Sequence, residues 1–328
     1  MAIGDTTNLA ARIQTAAQPG NVLVSAATLR LVPGLFVTES LGPVVLKGAA
    51  EAVELHCVRQ QTGVRDRARL GTPTRLVGRS DELAVLLDRW QRAAAGHGQV
   101  VAISGEAGVG KSRLVRGLRE HLTDVPHTWI DAECSPFASG AAFHPIVGLF
   151  ARGLGFEQIV SPVERLAALE RLQLPGLDVE AVVPYVAALL QLPPSERYPL
   201  PQQSAELQRE RTLLALAAIY QALSRAQPVV FCIEDLHWSD PSTRELLERM
   251  AAEASAAGGL LLLTGRPEVW HERHLDGPHS THIVLTRLSP GDARELATAS
   301  LRGAALSEDV LEKVVARADG IPLFVEEL

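Results

Sequence analysis

Lysine is nearly missing from this 328-residue sequence: Lys47, Lys111 and Lys313 stand alone among 31 Lys and Arg residues. Cysteine is as scarce. Cys57, Cys134 and Cys232 form no CxxC pair and no zinc-type spacing, which excludes a disulfide framework and a structural zinc site and points to a reducing, cytoplasmic setting. Long apolar runs are absent too. The longest, Gly259 to Gly265, falls far short of the roughly 18 to 20 residues that cross a bilayer, so no membrane partner is expected. Residues 1–20 lack the basic-then-apolar order of a signal peptide. A basic excess is missing as well: the net charge is −7, which gives no general reason to expect direct nucleic-acid contact. There is no internal repeat and no low-complexity tract. What remains is an ordinary globular composition, 47% hydrophobic, long enough for about two domains.

Residues 1–60 alternate short helices with strands at 21–25, 42–48 and 52–59. The polar, arginine-rich stretch 61–74 breaks all periodicity and reads as a linker. From 75 onward, apolar strands at 100–105, 128–134, 229–235, 260–265 and 282–288 are separated by helices, the pattern of a parallel α/β sheet. Between 145 and 226 lies a helical, proline-interrupted insertion. Residues 289–328 read as the start of a helical lid.

The chemistry concentrates at Gly105, Glu106, Ala107, Gly108, Val109, Gly110, Lys111 and Ser112, which fill G-x-x-x-x-G-K-[ST] between a strand and a helix that continues through Arg113. Glycines there let backbone N–H groups turn inward around phosphate oxygens, and the helix N-terminus adds partial positive charge. Lys111 then reaches the β- and γ-phosphates and the Ser112 hydroxyl ligates Mg²⁺, so the expected cofactor is Mg²⁺ with ATP. A second acidic strand end is required, and Glu234 and Asp235 supply it where α/β ligands bind. Glu234 is expected to assist the metal and Asp235 to orient or deprotonate the attacking water. Trp238 is expected to pack and His237 to make a local hydrogen bond.

Three flanking segments narrow the class: Val77-Gly78-Arg79 with Glu82 before the loop, Arg266 at a strand end, and Gly320-Ile321-Pro322 after a helix. With them, residues 75–328 resemble the STAND signal-transduction ATPases among the AAA+-like P-loop NTPases. The resemblance implies that Val77, Gly78 and Arg79 wrap the adenine, that Arg266 senses the γ-phosphate, and that Pro322 touches the base. The family usually carries aspartate where this chain has Glu234.

The opening stretch, from Gly4-Asp5-Thr6 through Lys47-Gly48, resembles the C-terminal part of a class III adenylyl or guanylyl cyclase domain. That resemblance implies that Asn8 and Arg12, four apart on one helix face, stabilise a cyclising transition state, and that Lys47 grips a triphosphate. The family's two metal-binding aspartates have no counterpart here, so the sequence is expected to begin inside a domain and to leave apolar surface on residues 21–59 uncovered. The fold expected for the whole chain is a parallel-sheet P-loop NTPase with the start of a helical lid, preceded by a partial α+β cyclase-like domain. The function expected is an ATP-binding, slowly hydrolysing signalling switch whose partners are ATP, ADP and the chain's own cyclase and downstream domains. The alternatives are a working cyclase in a longer parent, regulated by the P-loop module, and a ring-forming motor, for which no one arginine stands out as the finger.

Overall fold

The computed structural model describes residues 5–32, 36–46, 52–61, 75–254, 258–270, 277–301 and 306–328. Lys47 and the linker stretch 62–74 lie outside the described residues. The chain divides into two units, Met1–Arg75 and Leu76–Leu328.

In the first unit, α1 (Asp5–Ala16) precedes β1 (Val22–Ser25), α2 (Ala26–Leu31), β2 (Phe36–Val44) and β3 (Val53–Gln61). The strands pair antiparallel in the order β1-β3-β2. Ser25 ends β1 and caps α2, its hydroxyl accepting the Thr28 N–H at 3.1 Å. The sequence reading expected a strand at 42–48; β2 instead starts six residues earlier. The β-favouring run Phe36-Val37-Thr38 pairs with the far end of β3, and Pro43, which has no N–H to donate, is tolerated because β2 is an edge strand. Ile13, Leu46 and Leu55 form a small core. Val22, Phe36, Val37, Leu41 and Val45 remain exposed, an uncovered apolar surface of the kind expected for residues 21–59.

The second unit opens with α3 (Ser80–Ala94), β4 (Gln99–Ser104), α4 (Lys111–His121) and β5 (Thr128–Glu133). The insertion follows as α5 (His144–Gly153), α6 (Pro162–Glu170), α7 (Val179–Leu189) and α8 (Ala205–Ala226). Then come β6 (Val229–Glu234), α9 (Pro241–Ala252), β7 (Leu260–Gly265) and β8 (Ser280–Val284), and the chain closes on α10 (Pro290–Ser300), α11 (Glu308–Ala318) and α12 (Pro322–Glu327). All five strands run parallel in the order β5-β6-β7-β4-β8.

Every residue of β4 and β7 is buried, because helices cover both faces. Alternation then divides each strand between two cores. Val101, Ile103, Val230, Cys232, Leu260 and Leu262 pack with Leu86 and Trp90 of α3 and with Leu114 and Leu118 of α4. Val100, Ala102, Phe231, Ile233, Leu261 and Leu263 pack on the opposite face with the insertion helices and α9. A third core, Val77, Leu288, Ala293, Leu296, Leu311, Ala318 and Val325, gathers α10 to α12, the helices that the sequence suggests as a lid.

The lid is tied to the exit of β8 at a glycine. Gly320 has φ +71°, and a Cβ there would lie 2.5 Å from the Leu288 carbonyl oxygen; the Leu288 N–H donates to the Gly320 carbonyl at 2.7 Å. Gly320→Ala is expected to weaken lid docking by at least about 1–2 kcal/mol, the cost of a left-handed alanine alone. Hydrogen exchange should show faster exchange across α10 to α12 while amides of β4, β6 and β7 keep their protection.

Candidate nucleotide site

The loop between β4 and α4 is closed by backbone that only glycine allows. A Cβ on Gly105 would lie 2.7 Å from Val109 Cγ1 and 2.9 Å from the Leu285 carbonyl oxygen. Gly108 and Gly110 hold φ +78° and +103°. Inside this turn Lys111 is buried, and its Nζ donates to the carbonyls of Gly105 and Glu106, each at 2.9 Å. Burial lowers the affinity of this ammonium for its proton below the ordinary lysine range; Asp235 opposes that most, Arg266 adds to it, and Glu234 and Glu268 oppose it. One buried cation therefore feels the acidic pair and the strand-end arginine together. The first turn of α4 carries no acidic side chain, so its free N–H groups and dipole face an anion unopposed. Ser112 is exposed beside Lys111. Arg113 lies along α4 and donates to Glu120 at 3.3 Å.

The acidic pair sits at the end of β6. Glu234 is the last strand residue and is half-buried. Asp235 leaves the strand in the left-handed region, φ 58° and ψ 45°, which a non-glycine residue keeps only when its surroundings hold it there. The holder is Thr264 on β7, buried, whose hydroxyl accepts the Asp235 N–H at 3.2 Å. A 3-10 turn, Leu236–Trp238, follows. His237 makes no local hydrogen bond through Nδ1, contrary to the sequence expectation; that atom stays 3.8 Å from Asp235 Oδ1 and the ring tilts against Trp238 at 5.0 Å. Burial lowers the His237 pKa, so the ring is neutral near pH 7. Trp238 is not packed into the core either: it is 38% exposed, and Arg266, one residue beyond β7, places its Cζ 5.9 Å from the indole centroid.

Asp240 escaped the sequence reading. It is buried, and its carboxylate accepts the N–H groups of Phe143 (3.0 Å), Ser242 (3.0 Å) and Thr243 (2.9 Å) and the Thr243 hydroxyl (2.5 Å). An Asp-Pro pair opening a helix signals the cap on α9; nothing local signals Phe143, 97 residues away. Cys134 lies nearby, and burial raises its pKa to about 12, which leaves an inert thiol.

Residues 77–79 are held against the loop. Gly78, φ +64°, packs so close to Asp292 of α10 that a Cβ would lie 2.7 Å from its Cγ. Arg79 is buried and donates to Glu82 at 3.0 Å, to the Val109 carbonyl at 3.3 Å and to the Thr286 carbonyl. Its guanidinium thus braces the loop. Val77 is buried in the lid core. From the lid, Pro322 Cγ lies 3.8 Å from the Cβ position of Gly110 and Leu323 N–H donates to the Gly108 carbonyl at 3.2 Å. Arg287, also absent from the sequence reading, bridges Glu106 (3.1 Å) and Asp319. In the first unit Asn8 and Arg12 are both exposed on α1.

With the loop, the acidic strand end and the strand-end arginine gathered at one end of a parallel sheet, the comparison with known families has a definite object. The sequence family described as AAA ATPase domain matches residues 75–263. The chain belongs to the AAA ATPase domain family. An uncharacterised protein of Rhizobium meliloti (strain 1021) is 30% identical over 334 residues, 99% of this chain and 32% of that protein, so the chain spans about a third of the relative's length. Among solved structures, similarity extends to a Walker-type ATPase of Pyrococcus abyssi (17% identity, TM-score 0.42, 76% of this chain and 66% of that one). It extends also to Drosophila ORC bound to DNA (14%, 0.46, 78% and 55%) and to a Thermotoga maritima RuvB mutant (11%, 0.40, 77% and 61%). The AAA ATPase domain is a nucleotide-binding, ATPase-type module.

No group of three or more His, Cys, Asp or Glu is poised to hold a metal among the described residues. Ser112 and Glu234 are oxygen donors only, which fits Mg²⁺, a cation that takes most of its ligands from phosphates and water. No helix among the described residues is long and apolar enough to cross a membrane. Removing Asp240 should uncap α9 and strand the buried Phe143 N–H. Asp240→Ala is expected to cost about 2–4 kcal/mol in urea unfolding, a lost cap plus an unsatisfied buried donor. Asp240→Asn should cost less, because its amide oxygen still accepts the backbone N–H groups.

Proposed function

We propose that this AAA ATPase domain is a slow ATP-driven signalling switch of the STAND type, cycling between ATP and ADP to change the posture of attached domains. The observation that supports it best is the buried Lys111 ammonium, held on the loop carbonyls within the field of Asp235, Arg266 and Glu234. Phosphate oxygens entering the loop give this cation stronger partners than two neutral carbonyls. Mg²⁺ bound with the nucleotide would neutralise charge on the β- and γ-phosphates, and Ser112 and Glu234 are the residues to hold it. Asp235 orients the attacking water and accepts its proton. Arg266 donates to the γ-phosphate, and backbone at 77–79 with Pro322 borders the base. The lid contacts from Leu323 and Arg287 to the loop favour a switch, since they join the phosphate-binding loop directly to the helices that lead onward.

A second reading concerns the first unit. Asn8 and Arg12, four apart, are both exposed on α1, the spacing of a cyclase-type helix. We take them, with Lys47, as a cyclase remnant whose activity would belong to a longer parent. The chain itself, incubated with ATP or GTP and Mn²⁺, is expected to yield no cyclic product.

Binding of a fluorescent ATP analogue with and without Mg²⁺ tests the main reading. Lys111→Ala should weaken binding roughly 10- to 100-fold, the worth of a charge-assisted contact; unchanged affinity would overturn the nucleotide site. Asp235→Asn should still bind ATP but hydrolyse it on the order of 10²-fold more slowly. Wild-type turnover in that variant would transfer the role of base to Glu234.

A further inference from the structure

Arg266 is an unusual cation for its position. Among the described residues its guanidinium makes no hydrogen bond and no ion pair; its ordering contact is the Trp238 ring, 5.9 Å from Cζ. A long side chain just past a strand end otherwise samples many rotamers. The backbone that carries the indole, by contrast, is held in a closed turn. The Trp238 backbone N–H donates to the Asp235 carbonyl at 2.9 Å, and the Ser239 N–H and hydroxyl donate to the Leu236 carbonyl at 3.0 and 2.6 Å. His237 supports the ring from the side, 5.0 Å away and tilted 46°. At 38% exposure the indole is a poor contributor to the core, so its size calls for another explanation.

We infer that Trp238 is a positioning residue for Arg266, holding the guanidinium ready for the γ-phosphate, an assignment that rests on the nucleotide-site reading above. Stacking suits this task better than an ion pair. A carboxylate partner would occupy the N–H donors, whereas an aromatic face attracts the cation and leaves all five free to meet phosphate oxygens. The ring quadrupole also offsets repulsion between Arg266 and the nearby Lys111; burial does most to lower the proton affinity of Lys111 and His237, and Arg266 adds to it at both. Because the 3-10 turn that carries Trp238 begins directly after Asp235, the stack keeps the phosphate-reading arginine in register with the water-orienting acid.

The consequence is selective for the triphosphate. Trp238→Ala should weaken ATP binding roughly two- to five-fold, the worth of an exposed cation–π contact, and leave ADP binding unchanged. Hydrolysis should slow in kcat as well. Trp238→Phe, which keeps an aromatic face, should recover most of the loss, and Trp238→Ala in an Arg266→Ala background should add nothing. The melting temperature should stay close to wild type, given the exposure of the indole. Equal weakening of ATP and ADP, no change in either, or a full effect persisting without Arg266 would each overturn the assignment. Failure of the nucleotide site itself would show separately, as ATP binding that is indifferent to Lys111→Ala.

Discussion

A parallel sheet buried on both faces can place charge only at its strand ends. Val101 and Ile103 face one core while Ala102 faces the other, and the same alternation runs through β6 and β7. A polar side chain at any of these positions would be desolvated without a partner. The polar chemistry is therefore driven to the carboxyl ends, where Gly105, Asp235 and Arg266 follow the last paired residues of three adjacent strands. The sheet does not merely support the site; by keeping charge out of the fully buried strands β4 and β7 it leaves their ends as the place for it.

Within that region order comes from backbone-directed contacts rather than from surface ion pairs. Lys111 is bound by two carbonyls, Asp235 by the Thr264 hydroxyl, and Arg79 by two carbonyls and Glu82. The exposed bridge from Arg287 to Glu106 and Asp319 is weaker in kind, because solvent screens it. The frame around the phosphate loop is therefore stronger than the clasp between that loop and Asp319.

The sequence made the loop and the acidic strand end legible because their chemistry is local: glycine spacing, a strand before, a helix after. Buried strands were legible for the same reason, with β7 matching its expected bounds at 260–265. Other features depend on partners far along the chain. Arg79, in the segment that the resemblance sets around the adenine, also donates to the Thr286 carbonyl, 207 residues away, a contact that no local pattern signals. Trp238 reads as core until Arg266 is seen across from it. The strand expected at 42–48 was misplaced because apolar content near Pro43 outweighed the pairing that sets β2. The role of Asp240 toward Phe143 leaves no local trace at all.

That last contact bears on how the insertion can vary. Phe143, which precedes α5, is pinned to Asp240 at the start of α9, and α8 returns directly into β6, the neighbour of β5. The 145–226 segment thus crosses over from the carboxyl end of β5 to the amino end of the parallel strand β6, its start held by one carboxylate and its end by the sheet. Lengthening a segment whose two ends are already fixed in place changes closure entropy only slowly, about 0.6 kcal/mol for each doubling. Helices between the two pins can be added, lost or exchanged with little strain passed to Asp235, so the insertion is the part of this unit freest to diverge while the phosphate chemistry stays put.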